Sequence, residues 1–361
     1  MIFKTFGWSF GITLAGLVWA FWYDSFEGLV LVAILSVLEI SLSFDNAVIN
    51  AKILERMSEF WQKIFLTVGI LIAVFGMRLI FPLVLVALTA GLGPVEVMDL
   101  AINQPDTYAH HLEEAHPAIA AFGGMFLLML FLDFIFEDNE HKWLTWLEKP
   151  LAKIGKLDQV SVVVGLALIV LAAEFMAEHP ATVLIAGALG MLTYLLVNGL
   201  GQLFEDSGMA EVEGDEDAVA TSSGGPSQVA KATGKAAFFL FLYLEVLDAS
   251  FSFDGVIGAF AVTQDIFIIM VGLGVGAMYI RSITVFLVRK GTLSEFVYLE
   301  HGAHWAIGAL AVIMLVTVNP DIHIPEVITG LIGVVFIAAA VASSVVRNRR
   351  IPAEERETIH A

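Results

Sequence analysis

The sequence predicts an all-α, polytopic membrane protein of about ten transmembrane helices that contains two inverted three-helix repeats. The first observation behind this prediction is composition: of 361 residues, 58% are hydrophobic and 15% are charged. A soluble domain usually carries about 25% charged residues. The second observation is that apolar runs of about 18 or more residues, long enough to cross a bilayer as a helix, recur along the chain. The third is a duplicated Ser-Phe-Asp motif.

The apolar runs define ten predicted spans. The first is interpreted as a retained helix and not as a cleaved signal, because aromatic residues follow it and no small-x-small cleavage site precedes Asp24. The spans are placed at 6–22, 28–51, 61–88, 117–136, 160–177, 181–204, 236–263, 266–289, 303–318 and 325–346.

The distribution of basic residues predicts the orientation of these spans. Lys and Arg precede the first span and follow spans 2, 4, 6, 8 and 10, while the intervening connections contain none. Because cytoplasmic loops are enriched in Lys and Arg, both termini are expected in the cytoplasm. We therefore expect a multi-pass protein of the cell membrane, which in a bacterium is the inner membrane.

A hydrophilic segment divides the chain into two membrane halves. We predict a first half at 1–204, an acidic disordered cytoplasmic linker at 205–235, a second half at 236–346 and a cytoplasmic tail at 347–361. The net charge of −19 argues against a nucleic-acid partner. The absence of Cys excludes disulfides and thiolate metal sites.

Each half contains one copy of a repeated unit. The sequence LEISLSFDNAV at 38–48 resembles LDASFSFDGVI at 247–257. Two further landmarks follow in the same order in both copies. They are the pairs Gly69–Arg78 and Gly272–Arg281, each nine residues apart, and then the related sequences around His116 and His304.

The two copies occupy 28–136 and 236–318, and an odd number of crossings separates their first helices. The copies must therefore have opposite orientations in the membrane. Transporters built from inverted repeats bind their substrates near the midplane, where the repeats meet. The duplicated motif is thus predicted to line a substrate site.

Apart from Glu326 at the edge of the last span, seven carboxylic acids lie within the predicted spans, where a charge costs about 3 kcal/mol on insertion scales. Arg78 and Arg281 can neutralise two of them, so the others must be protonated or bind cations. Carboxylate, hydroxyl and amide oxygens favour hard cations such as Mg²⁺, Ca²⁺ and Mn²⁺. The seven acids are Glu39, Asp45, Asp133, Glu174, Glu245, Asp248 and Asp254.

Helical spacing places Glu39, Ser43 and Asn46 on one face of span 2. In span 7 the equivalent face carries Asp248, Ser252 and Gly255. Asp45 and Asp254 lie off these faces in a straight helix. Either the two aspartates point to a second partner, or both helices are broken at the motif so that the aspartates converge. We favour the break, because discontinuous helices commonly form ion sites within the membrane.

Other residues are assigned supporting roles. Arg78 and Arg281 are expected to be counter-ions. Glu245 is expected at the cytoplasmic water boundary. Asp133 is expected to extend an acidic face together with Glu137.

Three further residues keep two interpretations each. Glu174 is either a proton-coupling residue or one with a structural partner. His116 and His304 lie near helix starts, where each either packs or caps, or else serves as an entrance ligand for a transition metal.

These motifs resemble the TerC/Alx family of integral membrane proteins. The resemblance lies in LEISLSFDNAV, FSFDGVIGAF, FGGMFLLML and the arginine-bearing spans that follow the motifs. The hydrophilic insertion and LEHGAHWAIG resemble a larger branch of that family. The resemblance implies manganese efflux, and associates the chain with tellurite resistance, pH response and thylakoid protein assembly. The metal ligands that it implies are Glu39, Asp45, Asn46, Asp248 and Asp254.

This sequence departs from the family pattern at two points. Gly255 stands where the first motif has Asn46, and spans 5, 6 and 10 are additions. The two half-sites are therefore not equivalent in sequence, and the identity of the exported ion stays open.

Two functions of different classes follow from this sequence. The leading hypothesis is a secondary transporter that exports a divalent cation by alternating access, with Mn²⁺ favoured, Ca²⁺ or Mg²⁺ as alternatives, and protons as the coupling ion. The second is a membrane-protein assembly or stress-response scaffold whose buried acids are structural. A passive channel is a third alternative. We expect no resident cofactor and no enzymatic activity, because no nucleophile–base pair or redox motif stands out. The oligomeric state stays open.

Overall fold

The chain folds as a bundle of α-helices. A computed structural model describes residues 2–139, 141–157, 159–206, 232–290 and 296–350. The structure is 87% helical, and its described residues form no strand. Seven of the helices in this part of the chain are long and apolar enough to cross a membrane. The predicted all-α membrane class is therefore confirmed.

Thirteen helices and one π-helical segment build the described part of the chain. The residues predicted to form the acidic linker lie mostly outside the description, at 207–231. The elements are α1 (Ile2–Leu42), α2 (Phe44–Glu55), α3 (Glu59–Leu71), the π-helical segment (Ile72–Ile80), α4 (Phe81–Ala90), α5 (Pro94–Asn103), α6 (Pro105–Phe136), α7 (Thr145–Ile154), α8 (Val160–Met176), α9 (Pro180–Asp206), α10 (Gly234–Val262), α11 (Ile266–Lys290), α12 (Leu299–Val316) and α13 (Glu326–Arg350).

Helix α1 folds back on itself at Asp24 and Ser25. Both residues have non-helical backbone angles, and Ser25 has a φ of 56°. Before this turn, Ser9 Oγ lies 2.7 Å from Ser282 Oγ, near the end of α11. After it, Ser36 Oγ donates a hydrogen bond to the carbonyl of Gly272, near the start of α11.

The contacts show that the two legs of α1 run in opposite directions along α11. Gly16, on the first leg, lies against Val271 and Val275. Glu39, near the end of the second leg, lies against Gly276. The two legs therefore correspond to predicted spans 1 and 2, joined by a tight turn.

The expected helix break at the Ser-Phe-Asp motif occurs in only one copy. Ser43, with φ −104° and ψ 15°, separates α1 from α2. Backbone hydrogen bonds still bridge this break, from Ser43 N to Glu39 O at 3.0 Å and from Ala47 N to Ser43 O at 3.3 Å.

In the second copy, α10 is continuous through the motif, so the prediction of a break there was wrong. The hydroxyl of Ser250 donates to the carbonyl of Val246, one turn earlier, at 2.9 Å. A serine in this arrangement is accommodated within an unbroken helix.

Predicted span 3 consists of α3, the π-helical segment and α4. Pro82, at the second position of α4, has no N–H and its ring would crowd the carbonyl of Arg78 in a regular α-helix. The wider turns of the π-helical segment precede this proline. π-Helical turns are rare and often occur at functional sites, and this one carries the buried Arg78.

Two clusters of buried apolar side chains enclose a polar layer. Along α10, Leu247 and Phe251 belong to the first cluster, whereas Val256 and Ala259 belong to the second. The Ser-Phe-Asp motif of α10 therefore lies where the two clusters meet. This position lies inside the helix, about two turns before its end at Val262.

Candidate functional site: a buried network of acids and arginines

The first half of the polar layer is an ion pair between Glu39 and Arg78. The side chains are only 1% and 2% exposed. Arg78 donates one hydrogen bond from Nη2 to Glu39 Oε1 and another from Nη1 to the carbonyl of Ala73. Ser43 Oγ donates to the same Glu39 oxygen at 3.0 Å. The second leg of α1 and the π-helical segment are joined by this pair.

The second half is an ion pair between Asp248 and Arg281. Arg281 Nη2 lies 3.3 Å from Asp248 Oδ2, and Asn46 Nδ2 donates to Asp248 Oδ1 at 2.6 Å. The guanidinium also donates to the carbonyls of Phe65 at 2.8 Å and Gly69 at 3.0 Å. It lies 3.9 Å above the centre of the Phe65 ring, a favourable cation–π geometry.

The contacts follow the residue pairing of the two repeats. Each arginine binds an acid of its own repeat. The residue after each motif aspartate faces the acid of the other repeat: Asn46 bonds to Asp248, and Gly255 lies against Glu39, where an added Cβ would be 3.1 Å from Oε2. The sequence-predicted residues Glu39, Asn46 and Asp248 are therefore brought together at the interface of the repeats.

Glu245 also belongs to this network, contrary to the expectation that it lies at a water boundary. Its side chain is 8% exposed, and Oε1 lies 3.6 Å from Arg281 Nη2. Neither carboxylate oxygen has a hydrogen-bond partner in the described part of the chain. The expectation was wrong because Gly69 of α3 covers this side chain: a Cβ at Gly69 would lie 2.5 Å from Glu245 Oε1.

A cavity of about 190 Å³ adjoins Glu245. Its wall comes from the π-helical segment, α4, α6 and α10. Apart from Glu245 and Ser250 the lining is apolar, with Met77, Phe81 and Phe122 among its members. Ser250 donates its hydroxyl proton to the carbonyl of Val246, so it does not donate to Glu245.

A second cavity, of about 270 Å³, opens at the end of the bundle where α2 and α6 end and α12 begins. Asp133 and Glu137 both line it, as their spacing on one face of α6 indicated. Asp133 Oδ2 accepts a hydrogen bond from Tyr194 Oη at 2.6 Å. Lys52 and Glu300 also line this cavity and form an ion pair at 3.2 Å. Predicted topology places this cavity on the cytoplasmic side.

The structure distinguishes the two predicted histidines. His304 is buried, donates from Nδ1 to the carbonyl of Glu300 at 2.8 Å, and stacks on Phe134 with ring centres 3.6 Å apart. These contacts match the packing interpretation, although His304 also lines the second cavity. His116 is half-buried on α6.

Glu174 lies apart from the network. It is exposed near the end of α8, and it makes no hydrogen bond or ion pair with any residue that the structure describes. The described residues therefore include no structural partner for Glu174.

The motif aspartates are placed only by their backbones. Asp45 and Asp254 lie within α2 and α10, next to Asn46 and Gly255, and their side chains fall outside the description. Ser252 is buried. Among the described side chains, no three His, Asp or Glu residues form a group that could hold a metal ion. The network seen without the motif aspartates is therefore an ion-pair network and not a metal cage.

One buried acid was missed by sequence reasoning. Glu148 of α7 is 4% exposed and accepts hydrogen bonds from the backbone N–H groups of Trp143 and Leu144 at 3.0 and 3.1 Å. It also accepts one from Trp305 Nε1 at 3.2 Å and lies 3.6 Å from His301 Nε2. The available signal was an acid one turn into a short helix, which is typical of a residue that binds the N–H groups at a helix start.

The fold and this network define an all-α polytopic membrane protein with paired acids and arginines buried between its helices. The chain matches a family described as "Protein of unknown function (DUF475)" over residues 44–351. Because this match covers most of its length, the chain belongs to that family. No curated protein and no solved structure matches the chain.

Proposed function

We propose that this protein exports a divalent metal cation from the cytoplasm by alternating access around the buried network, with Mn²⁺ as the favoured ion. The observation that carries the proposal is an excess of carboxylates over arginines in the polar layer. Glu39, Asp248 and Glu245 are buried there, and among the described side chains Arg78 and Arg281 are the only buried Lys or Arg residues. An uncompensated negative charge at this depth requires a bound cation or a proton.

The two motif aspartates are the further acids that we assign to this site. The backbones of Asp45 and Asp254 adjoin those of Asn46 and Gly255 in α2 and α10. This assignment rests on that backbone placement and on the repeated motif. Carboxylate, hydroxyl and amide oxygens bind hard divalent cations, while the preference for Mn²⁺ rests on the resemblance to the TerC/Alx family.

The contacts between the repeats suit a transport cycle. The bond from Asn46 to Asp248 and the bonds from Arg281 to Phe65 and Gly69 all cross from one repeat to the other. Rocking of one repeat against the other would break these bonds and expose the acids to one side at a time. The cavity lined by Asp133 gives the cation a polar approach from the side predicted to be cytoplasmic.

Flux measured with the purified chain in liposomes tests this proposal. Mn²⁺, Ca²⁺, Mg²⁺ and Zn²⁺ are offered to the wild type, to Asp45→Asn/Asp254→Asn and to Glu178→Gln. Glu178 is an exposed acid just after α8 and outside the network, so it is a matched control for loss of an acid. We expect saturable Mn²⁺ flux in the wild type and the control, and none in a correctly inserted double variant. Undiminished flux in the double variant would contradict the site assignment.

A specific observation favours a second function, a membrane-protein assembly or stress-response scaffold with structural acids. Glu39 and Asp248 are each held by an arginine and by a second donor, as in a network that locks helices together. This function predicts no flux of any cation by a well-folded wild type. It also predicts that neutralising either acid impairs folding or partner capture.

A further inference from the structure

The two halves of the network differ in how many carboxylates each arginine can bind. Arg281 Nη2 lies 3.3 Å from Asp248 Oδ2 and 3.6 Å from Glu245 Oε1. In the other repeat the position equivalent to Glu245 is Ser36, by the same alignment that pairs Glu39 with Asp248. Ser36 donates to the carbonyl of Gly272 at 2.9 Å and has no charge to offer Arg78. Among the side chains that the structure describes, only Arg281 therefore has a second acidic acceptor in its own repeat.

Glu245 can accept a hydrogen bond from Arg281 that it does not accept in this structure, where the two groups are 3.6 Å apart. Both of its oxygens are buried and lack a hydrogen-bond donor among the described residues. A buried carboxylate without donors is unfavourable by an amount comparable to a lost hydrogen bond to a charged group. Any movement that brings the guanidinium closer to Glu245 therefore gains a strong, charge-assisted hydrogen bond.

The surroundings permit that movement. Asp248 and Glu245 lie one turn apart on α10, so the guanidinium needs only a small displacement to pass from one to the other. Gly69 carries no side chain on the face against Glu245 and Arg281, where a Cβ would meet both at 2.5 and 2.6 Å. The cavity of about 190 Å³ is lined in part by Glu245, so the side chain has free space along one side.

A cation at Asp248 would supply the reason to move. A divalent ion and a guanidinium repel each other when they share one carboxylate. As the ion binds Asp248, Arg281 is displaced, and Glu245 is the acceptor within reach. In the first half the structure describes no second acid beside Arg78, so we expect the Glu39–Arg78 pair to stay intact.

We infer that Arg281 is an exchangeable counter-ion that passes from Asp248 to Glu245 when a cation binds. Arg281 of the second repeat thus changes its acidic partner, whereas the Glu39–Arg78 pair of the first repeat stays intact. This inference rests on the proposed function and assigns Glu245 as a positioning residue that acts through Arg281 without touching the cation.

The test is the concentration dependence of Mn²⁺ flux by the full chain in liposomes. Glu245→Gln keeps the shape of the side chain but offers the guanidinium a neutral acceptor, so the attraction between opposite charges is lost. We expect the KM for Mn²⁺ to rise about tenfold or more, which corresponds to about 1.4 kcal/mol. A merely structural role would lower the amount of active protein, and hence the maximal rate, without moving KM.

The matched control is Ser36→Ala, at the equivalent position of the first repeat, with an expected KM equal to that of the wild type. Glu245→Asp, which keeps the charge on a shorter side chain, should give a KM between those of wild type and Glu245→Gln. If Glu245→Gln does not fold, Glu245→Asp alone tests the inference. An unchanged KM in either Glu245 variant would overturn the inference. Absence of flux in the wild type would instead refute the proposed function, and this inference with it.

Discussion

Replacing Arg78 by Met should destabilise the protein strongly, because it removes one member of a buried ion pair and leaves the other. Met keeps much of the side-chain length while losing the charge. In the variant, Glu39 would retain only the hydroxyl of Ser43 as its described donor, inside a layer where it is 1% exposed. Arg78→Met therefore tests whether the pair holds α1 against the π-helical segment.

The size of the effect follows from burial. Removing one partner of a buried ion pair typically costs about 3–5 kcal/mol, because an uncompensated charge remains. Glu39→Gln should cost a similar amount for the same reason. In the double variant no charge is left unpaired, so the loss should be smaller than the sum of the two by about 3 kcal/mol, the upper end of measured coupling energies.

The free energy of unfolding of the four proteins, measured by SDS titration from mixed micelles and followed by tryptophan fluorescence, gives this coupling directly. Lys52→Met is the control. Lys52 pairs with Glu300 at a side chain that is 47% exposed, so its loss should cost less than about 1 kcal/mol. Additive losses in the double variant would refute the interpretation of Glu39 and Arg78 as a coupled pair.

Three further predictions concern other parts of the molecule. Gly69→Ala should slow transport and lower the free energy of unfolding by about 1–3 kcal/mol. The added methyl would lie 2.5 Å from a carboxylate oxygen and 2.6 Å from a guanidinium nitrogen. Gly199→Ala, where the added methyl has no atom within 4 Å, should leave the free energy of unfolding unchanged or raise it in the same assay. Glu148→Gln should accelerate tryptic cleavage of the connection around α7, because its bonds to two backbone N–H groups lose their charge; unchanged cleavage would contradict its role as an anchor. The chain has no native Cys, so single cysteines can report the topology. Ser25→Cys should react with an impermeant maleimide on intact cells, and Asp138→Cys should react only after permeabilisation. The reverse pattern would contradict the predicted orientation of the spans.

The sequence was sufficient for features that depend on composition and internal similarity. Hydropathy predicted the all-α membrane class because a helix that crosses lipid must be long and apolar. The repeat alignment paired Glu39 with Asp248 and Arg78 with Arg281, and these residues do form equivalent ion pairs. Residues at equivalent positions of two related units meet equivalent neighbours, so the alignment carried spatial information.

Features that depend on local packing were not predictable in the same way. Glu245 lies only one turn from Asp248, and its burial is due to Gly69 on another helix. The continuity of α10 through its motif is not predictable from the motif, because the first copy has the equivalent bond, from Ser41 Oγ to the carbonyl of Val37, and yet is broken at Ser43. Glu148 lies in a hydrophilic connection, and its burial results from partners such as Trp305, far away in the sequence.

Binding of Mn²⁺ to the purified protein, measured by equilibrium dialysis beside Asp248→Asn and Glu178→Gln, tests the central claim most directly. The claim is that the buried acids between the repeats hold a divalent cation. It predicts saturable binding to the wild type and to Glu178→Gln, and loss of that binding in a folded Asp248→Asn variant. Saturable binding that survives in Asp248→Asn, or a well-folded wild type that binds no Mn²⁺, would contradict it.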